Sequence, residues 1–331
     1  MNDNPVFSPD VLKLDCRAEL ERITHSIRES LTKKLHKRGL VLGISGGIDS
    51  SVTAALCAQA VGKDRVIGLQ MPERHSAEET MALSILIADH LGIQKVHWDI
   101  SSILDVVGYY AKYDEAVRSV IPGYGAGWKS KIVLPTIDDA RTYTLFSVVA
   151  ISPDGTMIKE RLDLNSYLAI VAATNFKQRI RKMLEYFHAD KANFAVAGTP
   201  NRLEYDQGFF VKLGDGAADI KPIAHLYKTQ VYQLARYLGL PESIISRPPT
   251  TDTYSLPQGQ DEFYFSVSYQ VMDLCLYGKT HGIDAAIISE HTGLSPGQVL
   301  SIYGDIEKKR TATQYLHMSP ILVTTVPEIL S

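Results

Sequence analysis

The chain has 331 residues, a formal net charge of −3 and 45% hydrophobic residues, a balance typical of a globular protein in water. This charge argues against a general affinity for nucleic acid, because nucleic-acid binders usually carry a basic excess. No apolar run is long enough to cross a bilayer, so we expect no membrane association. Three scattered cysteines and the absence of a signal-peptide pattern predict a reducing, cytoplasmic location.

The first third of the chain alternates between helical and strand patterns. Apolar residues at helical spacing predict an amphipathic helix over 16–36, and a short apolar run predicts a buried strand at 40–44. The next predicted elements are a helix at 50–61, a strand at 66–69, a helix at 76–91 and a strand at 96–100. Strands that alternate with helices of these lengths predict an α/β fold with a doubly wound parallel sheet.

The alternation breaks between residues 108 and 164. Residues 142–150 and 156–162 favour strands, and Pro153, Asp154 and Gly155 between them are typical of a turn. We therefore predict a β-hairpin inserted into the domain. It is either a surface hairpin or a feature that reshapes the pocket for the substrate.

The remainder of the chain returns to the first pattern and then becomes helical. The predicted elements are a helix at 167–188, a strand at 194–197, a helix at 226–238 and a helical C-terminal part over 267–331. We predict a single domain over 1–331 that contains the insertion.

The clearest motif is SGGIDS at 45–50, which lies between a predicted strand and a predicted helix. Glycines let backbone N–H groups approach phosphate oxygens, and a helix N-terminus adds partial positive charge. A carboxylate at Asp49 repels phosphate unless a cation lies between them, so we predict that Asp49 binds Mg²⁺. A helix cap without a ligand is the alternative. The predicted phosphate contacts are Gly43, Ser45, Gly46, Gly47, Asp49, Ser50 and Ser51.

This motif resembles the PP-loop of the N-type ATP pyrophosphatases, which cleave ATP between its α and β phosphates. A second run, GTPNRLE at 198–204, followed by GFFVKLGDGAAD at 208–219, is similar to the second signature of NAD synthetases. Shorter similarities lie at 175–181, 249–252 and 307–310. The resemblance implies an adenine nucleotide alpha hydrolase-like fold.

The resemblance also implies roles for residues outside the PP-loop. Glu204 aligns with a second Mg²⁺ ligand, and a second carboxylate suits a hard cation. Lys228 and Thr250 align with ATP contacts, and with Asp49 they form the predicted catalytic set. Further implied ATP contacts are Thr199 and Arg74, and the residues implied to bind deamido-NAD are Arg179, Lys212, Asp219, Lys308 and Lys309.

The implied reaction is the ATP-dependent amidation of deamido-NAD with ammonia, in a homodimer. No glutaminase region is visible, so ammonia is either free or supplied by a separate partner. Three alternatives remain: an amide ligase for a different acid, a tRNA-modifying or sulfur-transfer relative, and an inactive binding module. The absence of a CxxC pair and the mild negative charge weigh against the second.

Overall fold

The computed structural model describes residues 7–133, 146–250, 253–259, 264–265 and 267–329. In chain order its strands are β1 (Leu40–Gly43), β2 (Val66–Gln70), β3 (Gln94–His97), β4 (Lys129–Val133), β5 (Ser147–Ile151), β6 (Met157–Arg161) and β7 (Ala195–Val196). Its first six helices are α1 (Cys16–Glu29), α2 (Ile48–Val61), α3 (Glu78–Leu91), α4 (Ser101–Val106), α5 (Tyr109–Arg118) and α6 (Leu164–Ala192). The next six are α7 (Arg202–Gln207), α8 (Lys228–Tyr237), α9 (Glu242–Ile245), α10 (Tyr269–His281), α11 (Ala285–Thr292) and α12 (Pro296–His317). Shorter helical turns lie at Pro9–Leu12, Ser30–Leu35 and Lys63–Arg65.

The central sheet is parallel and has the strand order β3-β2-β1-β7. Strand β1 pairs with β2 on one side and β7 on the other, so it lies inside the sheet. Its side chains alternate between two cores: Leu40 and Leu42 pack with α1, α2 and α8, whereas Val41 packs with α5 and α6. The run that predicted this strand is apolar because both faces of the sheet are covered by helices. The predicted doubly wound parallel sheet is confirmed.

Most predicted boundaries differ from the structure by one to four residues, and those of α2 and β3 are two examples. Helix α2 begins at Ile48, two residues before the predicted start at residue 50. Its N-cap is Gly47, whose backbone is extended. Strand β3 ends at His97 and does not continue to residue 100. The backbone N–H of Trp98 still donates to the carbonyl of Gln70 at 2.9 Å.

A second, antiparallel sheet has the order β4-β5-β6. Strands β5 and β6 form the predicted hairpin, and Gly155 in their turn has a φ of 86°. Residues 142–145 of the predicted first strand lie outside the described residues. Strand β4 was not predicted. The division of the chain into one domain with an insertion stays a prediction.

A substitution at Gly46 tests the packing of the turn between β1 and α2. Gly46 has a φ of 70°, and a Cβ there would lie 2.5 Å from the Cβ of Leu83 and 2.8 Å from its carbonyl carbon. Gly239 has a φ of 68° but open space around it, so it is a matched control. We expect Gly239→Ala to lower the free energy of unfolding by about 1–2 kcal/mol through left-handed strain alone. Gly46→Ala should cost about 1–3 kcal/mol more because it also overpacks the turn.

Urea unfolding of the two variants measures this difference. Equal losses of stability in both would contradict the steric part of the argument.

Candidate active site

The turn from Ser45 to Ser51 is stabilised by its own side chains. The hydroxyls of Ser50 and Ser51 both donate to the carbonyl of Gly47, at 3.0 and 2.8 Å. The hydroxyls of Ser45 and Ser50 are 3.3 Å apart. Together with the positive φ of Gly46, these contacts fix a cradle at the N-terminus of α2, which is the arrangement that binds phosphate.

Two cavities of about 280 and 490 Å³ meet at this turn, and we call them cavity 1 and cavity 2. Cavity 1 extends from the turn to Met71 and Pro72 after β2 and to Lys228. Cavity 2 extends from the turn towards Arg179 on α6 and Lys212. The wall that both cavities share includes Ser45, Gly47, Asp49, Ser50, Thr199 and Thr250.

Not every predicted phosphate contact faces a cavity. Gly43 lines cavity 1, at the end of β1. Ser51 is fully buried, and neither it nor Gly46 lines either cavity. The geometry gives Ser51 and Gly46 a role in shaping the turn.

Asp49 is the centre of a network of charged and polar groups. One of its carboxylate oxygens accepts a hydrogen bond from the Lys228 ammonium, and the other accepts from the side-chain amide of Asn201 at 3.1 Å. Only 1% of the Lys228 side chain and 15% of the Asp49 side chain are exposed. The ion pair is therefore largely removed from solvent, where charge interactions are strong.

Asn201 connects Asp49 to the second predicted metal ligand. It caps α7: its side-chain oxygen accepts from the backbone N–H of Glu204 at 3.2 Å, and its own N–H donates to the Glu204 carboxylate at 3.1 Å. This reciprocal capping box fixes the orientation of Glu204. The structure thus brings Asp49 and Glu204 together, as predicted, through a residue that was not predicted.

The charged groups of this network shift the pKa values of Glu204 and Lys228. Burial and the nearby charge of Asp49 raise the pKa of Glu204 to about 8, although Lys228 opposes the shift. Burial alone lowers the pKa of Lys228, but the charges of Asp49 and Glu204 outweigh it and raise that pKa above its usual value. Two acidic groups this close favour a cation between them.

Lys228 is placed by the start of α8. Asp273 on α10 accepts hydrogen bonds from the backbone N–H groups of Lys228 and Thr229, at 3.2 and 2.7 Å. The Asp273 side chain is fully buried, and this burial raises its pKa to about 6 despite the hydrogen bonds. Asp273 thus connects the C-terminal helices to the residue that contacts Asp49.

The structure places the remaining predicted ATP contacts differently. Thr199 and Thr250 lie in the wall shared by both cavities. Arg74 lines neither cavity: its guanidinium lies 4.0 Å from the ring centroid of Tyr110 and 3.8 Å from the carboxylate of Asp105. This geometry does not support the predicted ATP contact for Arg74, because a cation–π contact at the surface holds its side chain.

Only two of the five residues implied for deamido-NAD line cavity 2, namely Arg179 and Lys212. The Asp219 carboxylate instead accepts from the backbone N–H of Val196 at 2.7 Å. Lys308 is exposed, and Lys309 is paired with Asp305 at 2.7 Å. Within this chain, the structure does not bring Asp219, Lys308 and Lys309 to the cavity.

The segment directly before β5 contributes to cavity 2. Phe146, directly before β5, stacks on Tyr167 of α6 with ring centroids 4.5 Å apart, and both rings line the cavity. Strand β4 also holds the segment after Thr250, because the Ser130 backbone N–H donates to the hydroxyl of Ser255 at 2.9 Å. Residues of β4, β5 and β6 line neither cavity, so the sheet contributes by supporting neighbouring segments of the candidate site.

A buried ion pair between Glu73 and Lys177 was also not predicted. Their charged groups are 2.7 Å apart and only 1% of each side chain is exposed. Glu73 also accepts from the Tyr110 hydroxyl at 2.9 Å, and Lys177 donates to the carbonyl of Thr253 at 3.0 Å. These contacts connect α5 and α6 to the segment after Thr250.

The described residues contain no cluster of three or more metal-ligating side chains. In the same part of the chain, no helix combines the length and the apolar character that a membrane span requires. Two carboxylates without a third protein ligand are typical of Mg²⁺ sites that also use substrate phosphates.

Curated proteins of high similarity are known. An NH3-dependent NAD(+) synthetase of Mesorhizobium japonicum is 51% identical over 318 residues, which cover 96% of this chain and 100% of that protein. An NH3-dependent NAD(+) synthetase of Rhizobium meliloti is 54% identical over 324 residues, which cover 98% of this chain and 97% of that protein.

Solved structures share the fold at lower identity. An NMN synthetase of Francisella tularensis is 21% identical with a TM-score of 0.62, covering 96% of this chain and 100% of that one. An NH3-dependent NAD synthetase of Campylobacter jejuni is 23% identical with a TM-score of 0.62, and the match covers 94% of this chain and 100% of that one. The predicted adenine nucleotide alpha hydrolase-like fold is confirmed.

The family model described as NAD synthase matches residues 19–122 and 143–313, which is most of the chain. This match includes the turn at Ser45 to Ser51, the Asp49–Asn201–Glu204 network and Lys228. The chain therefore belongs to the NAD synthase family.

Proposed function

We propose that the protein is an ammonia-dependent NAD synthetase, which uses ATP to convert the carboxylate of deamido-NAD into an amide. The observation that carries the proposal is the network of Asp49, Glu204 and Lys228 beside the phosphate cradle, where the two cavities meet. The two relatives above 50% identity, which carry this activity in their names, support it.

A carboxylate must acquire a good leaving group before ammonia can displace one of its oxygens. In the proposed reaction a carboxylate oxygen of deamido-NAD attacks the α-phosphorus of ATP, the bond to the β-phosphate oxygen breaks, and pyrophosphate leaves. Ammonia then attacks the acyl carbon of this adenylate, AMP leaves with the bonding electrons, and the surplus proton goes to solvent. No side-chain nucleophile is required.

The arrangement of the cavities fits this sequence. Cavity 1 binds ATP with its phosphates at Ser45 to Ser50, and cavity 2 binds the acid, with Arg179 and Lys212 as cations for its phosphates or carboxylate. The reacting groups then meet at the shared wall beside Asp49 and Thr250. Both substrates are positioned there, and positioning supplies much of the rate in such reactions.

Lys228 is placed to stabilise the departing pyrophosphate. Its ammonium lies in the wall of cavity 1 and bonds to Asp49. Because the bond to Asp49 and the burial fix the ammonium before substrate arrives, little reorganisation is needed to direct it at a phosphate oxygen.

We propose that Asp49 and Glu204 hold Mg²⁺. Carboxylate oxygens are the ligands that this hard cation prefers, and the capping box of α7 holds the Glu204 carboxylate beside the Asn201 side chain that contacts Asp49. A bound Mg²⁺ would neutralise charge on the leaving pyrophosphate. Asn201 orients both carboxylates for this purpose.

Three finer points belong to the same proposal. A homodimer rests on resemblance, and a cytoplasmic location rests on the few scattered cysteines. Ammonia is either free or delivered by a separate partner. The contacts of Asp219, Lys308 and Lys309 with deamido-NAD also stay predictions.

An assay of AMP and NAD formation tests the proposed function. With ATP, Mg²⁺, ammonium and deamido-NAD, we expect AMP and NAD in equal amounts. AMP release with another carboxylic acid but not with deamido-NAD would assign the protein to a different amidation. The absence of AMP release with every acid would leave an inactive binding module.

The variant Asp49→Asn should abolish turnover, with a loss of at least about 1,000-fold, because it removes a charge from the proposed cation site. Its circular dichroism spectrum should match that of the wild type. Asp64→Asn is the matched control, because Asp64 is an exposed acid in the turn after α2. Near-full activity of Asp49→Asn would contradict the proposed role of the cation.

The raised pKa of Asp273 predicts a defined pH dependence of stability. The folded protein holds this proton more tightly than the unfolded chain, so the stabilisation is complete below about pH 4 and is lost as the pH rises through about 6. Relative to Asp273→Asn, the wild-type free energy of unfolding should therefore fall by about 3 kcal/mol between pH 4 and 7.

Urea unfolding at a series of pH values measures this difference. Asp163→Asn is a control of opposite sign, because a backbone hydrogen bond from Ser166 lowers the pKa of the Asp163 carboxyl. A difference between wild type and Asp273→Asn that does not change with pH would contradict the assignment.

A further inference from the structure

A second nearly buried ion pair lies in the wall of cavity 1. Lys182 and Glu185, one turn apart on α6, have charged groups 2.6 Å apart, and only 7% and 8% of their side chains are exposed. Both side chains line cavity 1 and neither lines cavity 2. Burying two charges is costly, so a pair that serves only stability is often replaceable by apolar residues. The pair therefore requires an explanation.

The two oxygens of Glu185 have different surroundings. Oε2 accepts from the Lys182 ammonium, whereas Oε1 has no hydrogen bond from any residue that the structure describes. Oε1 lies against the end of β1: a Cβ on Gly43 would be 3.1 Å from it. The absence of a side chain at Gly43 thus leaves room for this oxygen, which remains an acceptor for a molecule in the cavity.

The position of Glu185 along cavity 1 indicates which part of a nucleotide it meets. The phosphates lie at the cradle from Ser45 to Ser50, and the other end of the cavity is formed by Leu69 to Pro72 at the end of β2. Gly43 lies two residues before Ser45 of the cradle and is the register partner of Leu69 in β2, and Glu185 lies against Gly43. A nucleoside triphosphate with its phosphates in the cradle therefore places its sugar beside Glu185 and its base near β2.

A second polar side chain lies at this end of the cavity. Gln70, the last residue of β2, also lines cavity 1 and is only 4% exposed. Its side-chain amide nitrogen has no hydrogen-bond partner in the described part of the chain. Buried polar groups without a partner are rare and costly, so the Gln70 amide adds polar character to the protein at the β2 end of cavity 1.

We propose that Glu185 accepts a hydrogen bond from a ribose hydroxyl of ATP, and that Lys182 orients the carboxylate for this contact. Glu185 is then a specificity-determining residue that selects ribonucleotides over deoxyribonucleotides. An acidic side chain that accepts from ribose hydroxyls is an established solution in other nucleotide-binding folds. The inference rests on the proposed function insofar as ATP binds in cavity 1.

Equilibrium binding of three Mg²⁺ nucleotides tests the proposal: ATP, 2′-deoxy-ATP and 3′-deoxy-ATP, each titrated by calorimetry. The wild type should bind at least one deoxy analogue about 10- to 100-fold more weakly than ATP, because a hydrogen bond to a charged acceptor is lost. In the double variant Lys182→Met/Glu185→Leu, ATP should bind as weakly as that analogue. Removing both charges together avoids leaving one of them buried and unpaired.

The control is Glu19→Leu/Arg22→Met, which removes a more exposed ion pair of the same spacing on α1, away from both cavities, together with the contact of Glu19 with His225. This control should keep the wild-type preference for ATP. A variant that merely loosens the fold lowers the affinity for all three nucleotides equally and leaves their ratio unchanged, and that result would overturn the proposal.

The assay of NAD formation separates this inference from the proposed function. Equal affinity of the wild type for ATP and both analogues, together with normal NAD formation, overturns the role of Glu185 and leaves the function intact. The predicted preference for ATP without NAD formation supports the role of Glu185 and overturns the choice of acid. No binding of any nucleotide overturns both.

Discussion

The buried ion pair between Asp49 and Lys228 is the interaction on which the candidate site depends. A carboxylate beside a phosphate cradle is unfavourable unless positive charge is near, and Lys228 supplies that charge within the protein. Asn201 adds a second contact and connects Asp49 to Glu204. Three helices therefore meet at this network: α2 contributes Asp49, α7 contributes Glu204 and α8 contributes Lys228.

The topology of the sheet makes this convergence possible. Strands β1 and β7 are parallel neighbours, so their carboxyl ends meet at the same edge of the sheet. Asp49 follows β1 and Glu204 follows β7, which brings two distant parts of the sequence together. The C-terminal helices then cover this edge, where Asp273 holds the start of α8. Phe146, directly before the second sheet, and Tyr167 of α6 add two aromatic rings to the wall of cavity 2.

Local patterns in the sequence predicted the sheet strands and the phosphate cradle, because apolar runs and glycine turns are short-range features. The resemblance to NAD synthetases indicated Glu204 and Lys228, which no local pattern would have paired. Asn201 could have been found, since Asn followed three residues later by Glu is a capping-box pattern. The pair Lys182 and Glu185 could not have been found from the sequence, because charged residues three apart on a helix are usually exposed to solvent. Strand β4 was missed because its sequence, KSKIV, includes two lysines and so lacks a clear apolar pattern.

The most direct test of the account is to locate the cation in a crystal structure with Mn²⁺ and α,β-methylene-ATP, which cannot release pyrophosphate. We expect one anomalous peak within about 2.3 Å of carboxylate oxygens from both Asp49 and Glu204, with a phosphate oxygen as a further ligand. A metal that contacts the phosphates but neither carboxylate would contradict the central claim.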